Sequence, residues 1–229
     1  HFASSQVGVL VIGGHTEVTA GLDRPIVVGH LLGEVPKETL VATSTAEVDD
    51  VVLVTKALGV EGTAIIASEL SNDLMNRGYS AEFIKRASEF LREPGISVYM
   101  EALIAADSKL VSAMTDATEG GLAAALHEMA AAAGVGFLIK SEQVPLYPET
   151  RRICSEYDLD PFGLIASGML IMTVPAGSAD ELLNKVRAEG VQCSAIGRVT
   201  DASEGVRISQ DGKFGILPYY AVDELTKII

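Results

Sequence analysis

Hydrophobic residues recur along this chain in two patterns, one typical of strands and one typical of helices. Short apolar runs between turn-forming residues predict strands at 7–12, 25–32, 51–55, 110–114, 136–140, 169–174 and 193–198, and a hairpin of 206–209 with 214–217. Apolar positions three and four residues apart predict helices at 63–70, 80–91, 98–106, 122–133, 148–157 and from Ser178 to Gly190. This mixture predicts an α+β fold, in which helices cover a sheet.

Three local signals indicate where elements end. Gly134 follows the alanine-rich helix in the left-handed cap position, and Leu122, Leu126, Met129 and Ala133 form that helix's buried face. Ser178 and Glu181 have the spacing of a capping box, and Asp211-Gly212 has the composition of a two-residue hairpin turn.

Composition and charge exclude several classes of function. At 229 residues and 48% hydrophobic, the chain is long enough to bury a sizeable core, and its apolar runs fall short of the ~20 residues of a membrane helix. A formal net charge of −14, with 17 scattered Lys and Arg, argues against binding to nucleic acid. Cys154 and Cys193 lack metal-binding spacing, so we expect free buried thiols in a cytoplasmic protein.

The segment Asp116-Ala-Thr-Glu-Gly-Gly121 carries the most specific chemistry, because it joins a predicted strand to a predicted helix. Gly120 and Gly121 would let the backbone approach a ligand, the helix start would offer free amides, and Asp116 could hold a hard cation against phosphate. The alternative is structural: Asp116 or Thr118 caps the helix, and the glycines make a tight turn.

A second glycine motif, Gly13-Gly14-His15-Thr16-Glu17, follows the apolar run at 7–12, as in a buried strand that ends in a glycine turn. Two other polar residues gave weaker signals. Lys56, at the end of a predicted strand, could meet an anion or lie solvated. His127 begins a zinc-protease-like pattern but lacks the second ligand, which predicts a residue at the helix surface or core edge.

Together the two glycine motifs resemble the aminoimidazole ribonucleotide (AIR) synthase superfamily, which includes the hydrogenase-maturation protein HypE, selenophosphate synthetase and thiamine-monophosphate kinase. Segments 50–59, 159–168 and 195–200 also match. The resemblance implies a mixed sheet with helices, like the C-terminal domain of AIR synthase, at 50–229. A connector at 44–49 and the end of an ATP-binding, dimerising N-terminal domain at 1–43 would precede it. Since residues 1–5 look like the tail of a helix and the chain does not begin with Met, we expect a preceding segment.

The resemblance also implies a function, an ATP- and Mg²⁺-dependent enzyme that phosphorylates an oxygen of a small substrate and forms a homodimer. Nothing in it suggests a membrane or nucleic-acid partner. Asp116 would be a metal ligand and, with Thr118, catalytic. The residues implied in nucleotide binding are Gly13, Gly14, Thr16, Gly120 and Gly121, and those implied in substrate contact are His15, Glu17 and Lys56.

Departures from the family pattern leave two alternatives open. His15 stands where kinase-type and HypE-type members carry a magnesium-binding aspartate, which also fits a non-catalytic relative that binds a ligand or dimerises. A thiamine-monophosphate kinase fits less well, because the loop at 116–121 lacks that family's second aspartate. HypE ends in a modifiable cysteine, whereas this chain ends in Ile229, so we do not expect HypE's own carbamoyl-to-cyanide chemistry.

Overall fold

The computed structural model describes residues 4–5 and 7–229, and the chain divides into two units at Leu40 and Val41. In the first unit, residues 9–35 form neither helix nor strand, and a short 3-10 turn, Lys37–Thr39, follows. The strands predicted at 7–12 and 25–32 are therefore wrong. Apolar runs become strands only when a partner strand pairs with them, and none does so among the described residues. The helix tail predicted at 1–5 lies largely outside the described residues.

The second unit is built on a mixed sheet of seven strands, counted over the described residues, in the order β2-β4-β1-β5-β3-β6-β7. Its strands are β1 Val51–Thr55, β2 Ala113–Ala117, β3 Val135–Lys140, β4 Met169–Val174, β5 Cys193–Asp201, β6 Val206–Gln210 and β7 Lys213–Ile216. The β3–β6 pair is parallel and the other neighbouring pairs are antiparallel. Strand β2 lies at one edge, where the hydroxyl of Thr43 donates to the carbonyl of Met114 at 3.5 Å.

Helices pack on this sheet, which confirms the predicted α+β fold. They are α1 Val60–Glu69, α2 Ser71–Asn76, α3 Ala81–Ser88, α4 Tyr99–Ser108, α5 Gly121–Ala133, α6 Pro148–Tyr157 and α7 Ala179–Ala188. Helix α2 was not predicted, since six residues are too few to show a helical period. In the described part of the chain, no helix is long and apolar enough to cross a membrane.

The central strands are buried on both faces. Leu122, Leu126 and Met129 of α5 pack on one face of the sheet, while Leu182 and Val186 of α7 pack with α4 on the other. All six residues of β4 are buried, as expected of a strand covered on both sides. The two layers fix β4, and β4 in turn fixes its neighbour β2.

The structure confirms most of the predicted ends of elements. Gly134 caps α5 with φ of 69°, and Asp211 and Gly212 form the hairpin turn with φ of 50° and 75°. The capping box at Ser178 is wrong, because this residue lies in a 3-10 turn and its side chain makes no cap hydrogen bond. Both cysteines are buried and free, and burial raises the pKa of Cys154 to about 12 and that of Cys193 to about 11.

Candidate functional site

Asp116 lies within edge strand β2, where it pairs with Leu170 of β4. The predicted strand at 110–114 thus begins and ends three residues later than expected, so Asp116 belongs to the strand and not to the loop. Its side chain is exposed and makes no hydrogen bond or ion pair with any residue that the structure describes. The sheet therefore presents a rigidly held, unpaired carboxylate, which is the kind of group that binds a hard cation.

Neither Asp116 nor Thr118 caps helix α5, which excludes the capping role left open by the sequence. The N-cap is Gly120, with φ of 74° and no side-chain cap of its own. The backbone N–H of Gly120 instead donates to Oδ2 of Asp223, at 2.6 Å. Sequence reasoning missed Asp223 because 103 residues separate it from Gly120 along the chain.

The two glycines make room for the protein's own backbone. A Cβ on Gly121 would lie 2.6 Å from the carbonyl oxygen of Phe162 and 2.7 Å from that of Leu164. The N–H of Gly121 donates to the carbonyl of Thr118 at 3.0 Å. Since the amides of Gly120 and Gly121 both have partners within the chain, their predicted contact with phosphate would require these bonds to exchange. That contact stays a prediction, whereas the packing role is observed.

The segment at 159–168, which contributed to the family resemblance, lies against the start of α5. The carbonyl of Phe162 accepts from the N–H of Ala123 at 3.0 Å. Asp160 accepts through Oδ2 from the hydroxyl of Tyr220 at 2.5 Å. Burial, and then the hydrogen bond to Asp160, raise the pKa of Tyr220 above its ordinary value, so this phenol stays protonated at neutral pH.

Lys56 is buried, so the prediction of a solvated lysine is wrong, whereas its contact with an anion or substrate stays a prediction. It is 6% exposed, and its Nζ donates to Oε1 of Glu101 at 2.5 Å, to the carbonyl of Ser97 at 2.7 Å and to the carbonyl of Gly168 at 3.1 Å. These three partners use all the hydrogens of the ammonium group. The sequence could not show this, since the neutralising carboxylate is 45 residues away.

The first glycine motif lies in the first unit, where residues 13–17 are exposed and have no regular secondary structure. Neither Gly13 nor Gly14 has a positive φ, and a Cβ on either would have no atom within 4 Å. The predicted tight glycine turn is therefore absent. His15, Thr16 and Glu17 have no contact here that supports or excludes their proposed roles.

A magnesium ion bound with a nucleotide fits the donors at Asp116 better than a site made by the protein alone. No group of three His, Cys, Asp or Glu in the described ranges converges on a cation position. Magnesium in phosphoryl-transfer sites commonly takes one or two carboxylates and completes its shell with phosphate oxygens and water. One unpaired carboxylate is consistent with that arrangement.

Comparison with known proteins shows the family to which this fold belongs. Residues 47–209 match the family model described as AIR synthase related protein, C-terminal domain. Carbamoyl dehydratase HypE of Rhodobacter capsulatus is 30% identical over 202 residues, which are 86% of this chain and 56% of the relative.

Two solved structures share the fold. The crystal structure of Escherichia coli HypE matches with a TM-score of 0.69 and 26% identity, covering 86% of this chain and 58% of that one. Thiamine-monophosphate kinase of Aquifex aeolicus, complexed with AMPPCP and TMP, matches with a TM-score of 0.54 and 27% identity, covering 78% and 52%. The chain spans little more than half the length of these proteins.

Proposed function

We propose that this chain, which belongs to the AIR synthase-related protein family, supplies the C-terminal domain of an ATP-dependent enzyme. The reaction would phosphorylate an oxygen of a small substrate and so activate it. A relative named carbamoyl dehydratase and a kinase structure holding AMPPCP, an ATP analogue, support this class of reaction. Since these proteins extend well beyond the matched region, the substrate and the rest of the site are part of the proposal.

The observation that carries the proposal is the free carboxylate of Asp116, which lies one residue before the end of edge strand β2 and five residues before the start of α5. Asp116 would hold a magnesium ion, which supplies positive charge against the transferred phosphoryl group. Thr118 is half-buried in the adjoining turn and would donate its hydroxyl to a phosphate oxygen. Positioning of these two groups, more than covalent chemistry by the protein, would give most of the rate.

Negative charge around the turn at 118–121 supports the need for a cation. Asp116 and Glu119 are exposed on either side of Thr118, and Asp223 contacts Gly120. The two exposed carboxylates would repel a polyphosphate, whereas that of Asp223 already accepts from two backbone N–H groups, and the net charge of −14 adds to the repulsion. A divalent cation bound at Asp116 removes the conflict, so we expect nucleotide binding to depend on magnesium.

The test is Asp116→Asn in the intact protein, assayed for ATP turnover across a magnesium titration. The substitution removes charge and leaves the shape, so we expect turnover to fall about 100-fold or more. Because the carboxylate has no partner among the residues that the structure describes, the unfolding free energy should change by less than about 1 kcal/mol. Asp107→Asn, at an exposed aspartate near the end of α4, is the matched control and should keep full activity.

Turnover within about threefold of wild type at limiting magnesium would show that Asp116 does not bind the metal. A second candidate function, a ligand-binding relative without catalysis, is favoured by His15 at the family's aspartate position. It predicts that wild type binds nucleotide but releases no phosphate, which the same assay measures.

A further inference from the structure

A segment near the C-terminus, residues 217–225, lies across the start of α5, and we call it the C-terminal clamp. Its first contact is the carbonyl of Leu217, 2.9 Å from Nε2 of His127 on α5. Its second is the carbonyl of Tyr220, which would lie 2.9 Å from a Cβ on Gly120. Its third is the carboxylate of Asp223, bonded to the N–H of Gly120. The clamp therefore contacts α5 from the helix start to its middle.

The clamp is also tied to the loop at 160–164. Tyr220 donates to Asp160, and a Cβ on Gly163 would lie 2.5 Å from the Tyr220 ring. The N–H of Glu224 donates to the carbonyl of Gly163 at 3.1 Å, and Oε2 of Glu224 accepts from the N–H of Asp160 at 2.8 Å. Glu224 is only 3% exposed, so these bonds are shielded from water. The clamp, the loop and the start of α5 are therefore three layers, each of which is hydrogen-bonded to the other two.

Asp223 joins these layers through both of its carboxylate oxygens. Oδ2 accepts from Gly120 at 2.6 Å, while Oδ1 accepts from the N–H of Leu225 at 2.8 Å and so caps the short helix Glu224–Lys227. A carboxylate at the start of α5 also interacts favourably with the positive end of the helix dipole. Charge-assisted bonds of this kind are stronger than neutral ones, so Asp223 holds Gly120 firmly.

Fixing Gly120 fixes the turn that precedes it. The carbonyl of Thr118 accepts from the N–H of Gly121 at 3.0 Å and from that of Ala166 at 3.3 Å. The turn at 118–121 is thus held by Ala166 at one end and by Asp223 at the other. Asp116 lies outside the turn and is held separately by its pairing with β4.

We infer that Asp223 is a positioning residue for nucleotide binding, an inference that rests on the proposed function. By holding Gly120, it keeps the turn at 118–121 closed and aims the hydroxyl of Thr118 at the phosphate. Because Asp116 is held by the sheet, loss of Asp223 changes the affinity for nucleotide and leaves the requirement for magnesium unchanged. A carboxylate that served only stability would instead reduce the amount of folded enzyme and leave KM for ATP unchanged.

The test compares Asp223→Ala with Asp223→Asn in the intact protein, by steady-state ATP turnover. Alanine removes the acceptor, and we expect KM for ATP to rise about tenfold, as for loss of one charge-assisted hydrogen bond. Asparagine keeps one carbonyl acceptor, which can serve Gly120, and loses the acceptor for Leu225, so KM should rise by only about threefold. Asp201→Ala is the matched control, because Asp201 caps the short helix Ala202–Glu204 in the same way, with Oδ1 2.9 Å from the N–H of Ser203. It should leave KM unchanged.

Hydrogen exchange gives a second readout that does not need turnover. In Asp223→Ala the amide of Gly120 should exchange faster, while that of Leu126 in the middle of α5 keeps its protection. Normal turnover with unchanged KM in Asp223→Ala, or unchanged exchange at Gly120, overturns the role of Asp223 and leaves the proposed function standing. If wild type turns over no ATP, the proposed function falls and the positioning role falls with it.

Discussion

Removing one charge of the buried Lys56–Glu101 pair should destabilise the protein far more than removing one charge of an exposed pair. The side chains are 7% and 3% exposed, and the charged atoms are 2.5 Å apart. At an effective dielectric constant of about 20, the attraction at this distance is about 7 kcal/mol. Desolvation of the two ions offsets much of that gain, so the net contribution of the intact pair is small.

A single substitution loses the attraction but keeps the desolvation of the remaining ion. Glu101→Gln leaves the ammonium of Lys56 buried without its counter-charge, and we expect a loss of about 3–5 kcal/mol of unfolding free energy. The double variant Lys56→Met with Glu101→Gln leaves no buried ion, so it should recover at least half of that loss. The exposed control is Glu181→Gln, which breaks a pair with Lys185 at 3.6 Å, and it should cost about 0.5 kcal/mol or less.

The assay is equilibrium unfolding in urea of wild type, Glu101→Gln, Lys56→Met, the double variant and Glu181→Gln, with the unfolding free energy in water compared among the five proteins. A cost of Glu101→Gln below about 1 kcal/mol, equal to that of the exposed control, would refute the buried-charge argument. If the double variant loses as much unfolding free energy as the two single variants lose together, the two charges are not coupled and the argument is refuted. Function should respond too, because Nζ of Lys56 bonds the carbonyl of Gly168, directly before the strand that pairs with Asp116.

Two further predictions concern the glycine turn and the pH dependence of stability. Gly121→Ala should cost about 3 kcal/mol of unfolding free energy, because its Cβ would meet two backbone oxygens. Gly134→Ala, at a residue with φ of 69° and open space around it, should cost about 1 kcal/mol. Equal costs in urea unfolding would show that the close approach at Gly121 is unimportant. Hydrogen bonds from Tyr157 and Arg77 lower the pKa of Asp73, and bonds from Arg77 and Tyr79 lower that of Glu156. Carboxyls with lowered pKa values contribute stability that is present above their unfolded pKa values and lost as pH falls through the folded ones, so stability should decline from about pH 5 downward, and less steeply in Arg77→Met. Parallel pH profiles for wild type and Arg77→Met would contradict this account.

The sequence predicted best where an element is buried on both faces. The strand at 169–174 was predicted with its observed ends, because its six buried residues, apolar except for Thr173, lie between Gly168 and Pro175. The same rule failed at 7–12, where Leu10 and Ile12 are 84% and 91% exposed in the structure. An apolar run shows that a segment can pair, but pairing depends on a partner that the run itself does not specify.

The candidate site likewise contains residues that are close together in the sequence and residues that only folding brings to them. Asp116, Thr118 and the two glycines form one short segment, so the sequence could indicate their chemistry. Asp223 has a local signal as well, since an aspartate two residues before Leu225 is typical of a cap, and it does cap the short helix there. That signal says nothing about its second oxygen, whose partner is fixed only when the chain folds back onto α5. Since the glycines' amides are already engaged within the chain, the proposed ligand contact in this turn would rest first on side chains that other segments hold in place. The proposed site therefore consists of two polar groups that the sequence reveals and a supporting shell, Asp223 and the loop at 160–164, that only the fold assembles.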